Sequence, residues 1–290
     1  MPRLSMLPVL FREIFFERTL PREPEPDLVM ENSEQVEAYS HAGRIDGVMA
    51  AAYLFHSARI SQIIQDCKNV VDLGCGPATQ LCQIAELNPA ITFHGVDLSD
   101  SMLETAKIYA KNKNINNIIF YKGDITNLSF LQDKFADAVI STMALHHLPS
   151  HQLLENCFSE INRILKPNGG LYLVDFGRLK SLKSVIYFAY INAKQQPHLF
   201  TLDYERSLRA AFAPEDFQLL QKTNFAHATT LSTFLMPILT LIKTQDRPLT
   251  PVLSQRINEM RRALPKKYLR DLDEIRTFFK LGGLKNDPFN

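Results

Sequence analysis

The stretch Val70-Val71-Asp72-Leu73-Gly74-Cys75-Gly76-Pro77-Ala78-Thr79-Gln80 constrains this chain more than any other. A short apolar run carries an acid, passes through two closely spaced glycines, and enters Leu81-Cys82-Gln83-Ile84-Ala85-Glu86-Leu87. There Leu81, Ile84 and Ala85 recur at helical spacing, so the pattern predicts a buried strand, a tight turn and a helix. Glycine suits such a turn because it adopts positive φ, and because a missing side chain lets a ligand approach the backbone. The helix directs unpaired N–H groups and the positive end of its dipole into the same space. In an open sheet of parallel strands, ligands bind beyond the carboxyl ends, which is where Asp72 stands.

Four more strands follow at regular intervals. Ile91–Asp97 and Ile118–Asp124 each end in an acid, and Asp137–Thr142 and Leu171–Asp175 come next. Between the last two, Leu154, Cys157, Phe158, Ile161, Ile164 and Leu165 share a helix face, which Pro167-Asn168-Gly169-Gly170 terminates. Strands alternating with helices predict a parallel, doubly wound sheet. Two further strands, His227–Thr233 and Leu235–Lys243, lie too close in sequence for a crossover and are expected to pair antiparallel. The expected fold is therefore α/β, a Rossmann-like doubly wound sheet of seven strands with the last two antiparallel, plus helical additions at both ends.

Residues 1–30 read as an N-terminal appendage. Val9, Leu10, Ile14, Phe15 and Phe16 suit a short helix docked on the body, and Leu20-Pro21-Arg22-Glu23-Pro24-Glu25-Pro26 suits an extended spacer. Residues 31–245 form the main domain: a helical cover over 31–66, a core over 67–176, then an insert with the antiparallel strands over 177–245. Residues 246–290 read as C-terminal helices.

With 32 basic and 31 acidic residues the net charge is +1, which gives no electrostatic footprint for nucleic acid. Four cysteines without Cys-x-x-Cys or zinc-like spacing fit a reducing, cytoplasmic setting, and no metal site is expected. The longest apolar run, Phe234 to Ile242, falls well short of the roughly 20 residues that a spanning helix needs.

Val70-Val71-Asp72-Leu73-Gly74-Cys75-Gly76, Val96-Asp97-Leu98-Ser99, Gly123-Asp124, Asp137-Ala138-Val139-Ile140 and Ile164-Leu165-Lys166-Pro167-Asn168-Gly169-Gly170 together resemble the successive motifs of class I S-adenosylmethionine-dependent methyltransferases. The resemblance covers residues 65–176 in order and spacing. Ala144-Leu145-His146-His147-Leu148 further resembles the small-molecule branch, which includes the ubiquinone and menaquinone methyltransferases. It implies S-adenosyl-L-methionine as cofactor, S-adenosyl-L-homocysteine as product, and a small-molecule acceptor methylated on oxygen, nitrogen or carbon.

The cofactor set implied is Asp72, Gly74, Cys75, Gly76, Asp97, Leu98, Met102, Asp124, Ile125, Thr142 and Met143. Asp97 offers two acceptor oxygens for the ribose hydroxyls, with Leu98 and Met102 against the adenine. Asp124 accepts from the adenine amino group beside Ile125; Gly74, Cys75 and Gly76 admit the amino-acid tail, and Asp72 engages its ammonium. Thr142 and Met143 line the site after the fourth strand. His147 is the candidate general base. Candidates for the acceptor pocket are Tyr39, His41, His146, Asp175, Arg178 and Tyr204, with His56 a further possibility in the cover.

A nicotinamide or flavin enzyme is the main rival, but its third fingerprint glycine is Thr79 here. The loop Ser141-Thr142-Met143-Ala144 lacks both the Pro-Pro pair of adenine-N6 methylation and the carboxylates of magnesium-dependent catechol methylation. Two other readings remain: a catalytically silent cofactor-binding scaffold, or methylation of a protein or RNA recruited by the basic segment Arg261 to Arg270.

Overall fold

A computed structural model of the chain describes residues 4–26, 33–44 and 46–290. The boundary expected between residues 30 and 31 lies outside the described residues. A short helix α1 (Leu7–Phe15) leads through an extended segment to the cover helices α2 (Ser33–Ala42) and α3 (Ala50–Ile64). The core then alternates β1 (Asn69–Leu73), α4 (Thr79–Leu87), β2 (Thr92–Asp97), α5 (Asp100–Asn112), β3 (Ile118–Lys122), β4 (Ala136–Thr142), α6 (His151–Ile164) and β5 (Leu165–Phe176). An insert of α7 (Leu182–Tyr190), α8 (His198–Ala210) and α9 (Pro214–Asn224) precedes β6 (Thr229–Ser232) and β7 (Leu239–Lys243). Helices α10 (Pro251–Ala263) and α11 (Lys266–Leu281) close the chain.

The seven strands lie in the order β3-β2-β1-β4-β5-β7-β6. All neighbours from β3 to β5 are parallel, whereas β7 runs antiparallel to both β5 and β6. Both faces of the sheet are covered, and strand periodicity divides the core between them. Val70 packs into the cluster that holds Ile60, Ile63, Leu81 and Ile84, while Val71 packs into the one that holds Leu154, Phe158, Ile161 and Phe217.

Four strands differ from expectation by two residues or more: β3 stops at Lys122 instead of Asp124, β6 starts at Thr229 instead of His227, and the other two are β5 and β7. The helix does stop before Pro167, but the segment through Gly170 continues as the first part of β5, with a register shift against β4 between Ala136 and Ala138. Asn168, at φ 60°, takes the strain of that irregularity. β7 begins only at Leu239, because Pro237 lacks an N–H for the ladder. Thr233 closes the resulting loop by accepting the Leu239 N–H.

Helix α1 buries Val9 and Glu13, whose carboxylate accepts the Lys180 N–H. Leu7, Phe11, Phe15 and Phe16 stay exposed. Among the described residues no helix is long and apolar enough to cross a membrane.

Candidate active site

The strand-ending acids of β1 and β2 and the glycine turn meet at the carboxyl edge of the sheet. Gly74 and Gly76 both have positive φ, 71° and 52°. A side chain at Gly74 is excluded twice, by that φ and because its Cβ would stand 2.3 Å from the Ala144 Cβ. The Gly74 and Cys75 N–H groups donate to the Val96 carbonyl, tying the turn to β2. Asp97 is held from both sides: one carboxylate oxygen accepts the Gly76 N–H at 2.7 Å and the other the Ser99 N–H at 3.0 Å. Each oxygen keeps a lone pair for a ligand hydroxyl. Ser99 also caps α5 by accepting the Met102 N–H. Asp124 uses one oxygen for Thr126, at the N–H and the hydroxyl, leaving the second for a ligand.

These groups line a cleft of about 120 Å³, whose walls include Gly74, Gly76, Asp97, Leu98, Met102, Asp124, Ile125 and Met143. Tyr39, Ser99, Gly123, Ala144, His147 and Leu148 complete it. Three residues of the expected cofactor set lie off that wall. Asp72 is buried behind the turn, and burial, with Asp97 adding to it, pushes its carboxyl up to about 7. The Cys75 thiol lies against β2, where a Cβ on Gly95 would stand 3.0 Å from it. Thr142 is half-buried at the end of β4, opposite Val174.

Beside this cleft lies a second cavity of about 270 Å³, built mainly from apolar side chains of the cover, the insert and the C-terminal helix. Met49, Phe176, Phe188, Phe200, Tyr204, Met236, Leu239 and Phe278 form most of it, with His146, His147, Asp203 and Ser207 as a polar end. Tyr39, Met143 and His147 border both spaces. Of the residues expected at the acceptor pocket, Tyr39, His146 and Tyr204 line the cavity. His41 is exposed on α2, and Arg178 faces Asp216 at 3.8 Å. His56 is a core residue bonded to the Tyr172 hydroxyl at 2.7 Å. Asp175 is buried beneath the loop after β4, where it accepts the Leu145 and His146 N–H groups and pairs with His146 Nδ1 at 2.7 Å. That carboxylate fixes the loop which presents both histidines.

The largest departure from the sequence reading is the proline-rich segment. It is extended, as expected, but it is strapped across the loop after β4. The Arg22 guanidinium donates to the carbonyls of His146, Leu148, Pro149 and Ala210, and lies 3.7 Å from the centre of the Phe212 ring. Burial, then the neighbouring Arg178, lowers it to about 10, so it stays charged at neutral pH. Glu25 follows into the site: one oxygen meets His147 Nδ1 at 2.7 Å, and the other accepts the Ser207 hydroxyl at 2.8 Å. Burial opposes its charge, but the hydrogen bond from His147 and the two imidazoles outweigh this and hold its carboxyl at about 2. His147 is raised in turn: burial lowers it, and the Glu25 contact more than compensates. On the same wall burial, then repulsion from Glu25, lifts Asp203 to about 6. Glu25, Arg22, Asp203 and Ser207 were missed from sequence; the single available signal was three charges set among three prolines.

A seven-stranded sheet of this order, with its last strand pair antiparallel, is the Rossmann-like fold of the solved methyltransferase structure reported below. Residues 64–201 match the family model described as a methyltransferase domain. Over 110 residues the chain is 37% identical to a sterol 24-C-methyltransferase of Pneumocystis carinii, covering 38% of this chain and 28% of that one. Over 146 residues it is 29% identical to a ubiquinone biosynthesis O-methyltransferase of Coxiella burnetii, covering 49% of this chain and 58% of that one. The matches thus span only about a quarter to just over half of these relatives' lengths. A crystal structure of an S-adenosylmethionine-dependent methyltransferase from Aquifex aeolicus superposes with a TM-score of 0.51 at 12% identity, covering 74% of this chain and 97% of that one.

Proposed function

We propose that this protein transfers the methyl group of S-adenosylmethionine to an oxygen, nitrogen or carbon atom of a small, mainly apolar molecule. The observation that carries the reading is the junction at Tyr39, Met143 and His147, where the donor cleft opens beside the apolar cavity. Methyl transfer from a sulfonium is an in-line displacement, so holding donor and acceptor on either side of one constriction supplies most of what the reaction needs; orientation of this kind is worth on the order of 7–11 kcal/mol.

In this reading Asp97 takes the ribose hydroxyls, Leu98 and Met102 face the adenine, and Asp124 with Ile125 borders its edge. Gly74 and Gly76 leave room for the amino-acid tail, and Asp72 acts on its ammonium through the turn. The acceptor lies with its apolar body among Phe176, Phe200, Tyr204 and Met236 and its reacting atom towards His147. A proton lost from an oxygen or nitrogen acceptor has the Glu25–His147 pair as its nearest receiver. The names of the two relatives specify a sterol carbon and a ubiquinone-pathway oxygen, both of which suit an apolar cavity. A cavity of about 270 Å³ favours a small acceptor over a protein or RNA chain, and the near-neutral charge gives nucleic acid no footprint. Four unpaired cysteines support a cytoplasmic setting.

The test is release of S-adenosylhomocysteine on incubation with S-adenosylmethionine and a panel of small phenols, amines and isoprenoids. Turnover with an apolar member, abolished by Met143→Arg at the constriction, is expected. Donor binding without product from any member would leave a cofactor-binding scaffold instead.

A further inference from the structure

The polar end of the acceptor cavity holds more than methyl transfer by apposition requires. Glu25, His146 and His147 converge there, and one ligand atom from each lies within 4.8 Å of the others. Glu25 Oε2 is 2.7 Å from His147 Nδ1, and Glu25 Oε1 is 3.9 Å from His146 Nε2. Two ligands of one ion at about 2.0–2.2 Å each stand no more than about 4.4 Å apart; the two contacts to Glu25 satisfy that limit, and the set as a whole lies within 4.8 Å.

The second observation is His146 itself. Its side chain is 3% exposed, and its Nε2 has no hydrogen-bond partner. Its Nδ1 faces the Asp175 carboxylate at 2.7 Å, and an ionised carboxylate only accepts, so Nδ1 carries the hydrogen. In the neutral imidazole, Nε2 therefore aims a lone pair at the carboxylate of Glu25 across 3.9 Å. A buried imidazole nitrogen facing a buried carboxylate calls for a positive charge between them, which a proton on Nε2 supplies in the metal-free protein and a metal ion can replace. A carboxylate on the far nitrogen is also how proteins orient a metal-binding imidazole.

We propose that Glu25, His146 and His147 form a site for one divalent transition-metal ion of the zinc class. Two imidazoles and one carboxylate are a ligand set that binds such ions and leaves positions open. The two histidines of the set line the acceptor cavity. The three side chains are held close to one another: Asp175 and Arg22 pin the histidine loop, and Ser207 holds Glu25. A bound ion takes the Nδ1 lone pair of His147 that a proton occupies in the metal-free protein, so in the loaded form the ion meets the acceptor's oxygen and orients it. That role rests on the function proposed above; the binding does not. Sequence spacing hides the site because its carboxylate comes from the N-terminal strap.

The experiment is calorimetric titration of Zn²⁺ into the full chain after chelator treatment, without donor or acceptor. One equivalent is expected to bind, and Glu25→Gln and His146→Ala are each expected to weaken it at least tenfold, while His151→Ala on the surface leaves it unchanged. Co²⁺ substitution gives a reading that needs no variant: an intense visible spectrum of low coordination number is expected. Absence of stoichiometric binding, binding that survives both substitutions, or a spectrum unchanged from the aqueous ion would overturn the site. None of these outcomes depends on methyl transfer, so a failed metal site and a failed methyltransferase reading are told apart.

Discussion

Asp72 and Gly74 show how little freedom single positions have at the donor turn. Asp72 is buried, and its carboxyl titrates near 7 rather than in the ordinary range near 3.8. A raised folded-state value favours the fold while the group is neutral. The contribution is complete below the unfolded value and is lost as pH rises through about 7. Unfolding free energy should therefore fall between about pH 4 and pH 7 by a few kcal/mol, since each pKa unit is worth about 1.4 kcal/mol. In Asp72→Asn, which stays neutral, denaturant titrations across that range should show a markedly flatter profile; an identical slope would contradict the assignment. Gly74→Ala tests the turn: positive φ and a clash with Ala144 should cost at least about 1–2 kcal/mol and weaken donor binding, read by thermal unfolding and calorimetry. That Asp97, Asp124 and the glycines share one cleft was legible in sequence because they stand at or just beyond strand ends, where local pattern fixes position. Thr142 and Cys75 were not placed by pattern, because which way a side chain turns at a strand end depends on the neighbouring strand.

At the scale of elements, strand–helix alternation carried the sheet and the antiparallel pair, since period and loop length are local properties. The strap did not read through. Pro21-Arg22-Glu23-Pro24-Glu25-Pro26 has the composition of a spacer, and its docking depends on carbonyls presented by the loop after β4 and the end of α8, which no local pattern announces. Nor did the true start of β7, which Pro237 delays. Arg22 is the strap's anchor, and hydrogen bonds from a charged group are worth about 1.5–3 kcal/mol each before water replaces them. Arg22→Ala is expected to destabilise the protein by about 2–4 kcal/mol in denaturant titration and to lower turnover more than donor affinity, because it frees both the histidine loop and Glu25. A change within about 0.5 kcal/mol would mean the strap is a passive covering.

Across the whole molecule, the acceptor cavity draws on Met6 just before α1, the cover helices, α7 and α8 of the insert, the loop before β7 and α11, so it exists only when these separate additions to the core are in place. The same composite origin explains why, of the residues expected from sequence at the acceptor pocket, only Tyr39, His146 and Tyr204 line the cavity. Filling the cavity should separate the two halves: Ala52→Phe is expected to raise the acceptor KM several-fold while donor affinity is unchanged. Central to the account is the donor cleft at the carboxyl edge of the sheet, with Asp97 as the ribose acceptor. Calorimetric titration of S-adenosylhomocysteine into the full chain and into Asp97→Ala tests it most directly. One equivalent should bind to the native protein and about 10–100-fold more weakly to the variant, the loss of about 1.5–3 kcal/mol expected for bonds to a charged group. No binding to the native chain, or equal binding to both, would contradict it.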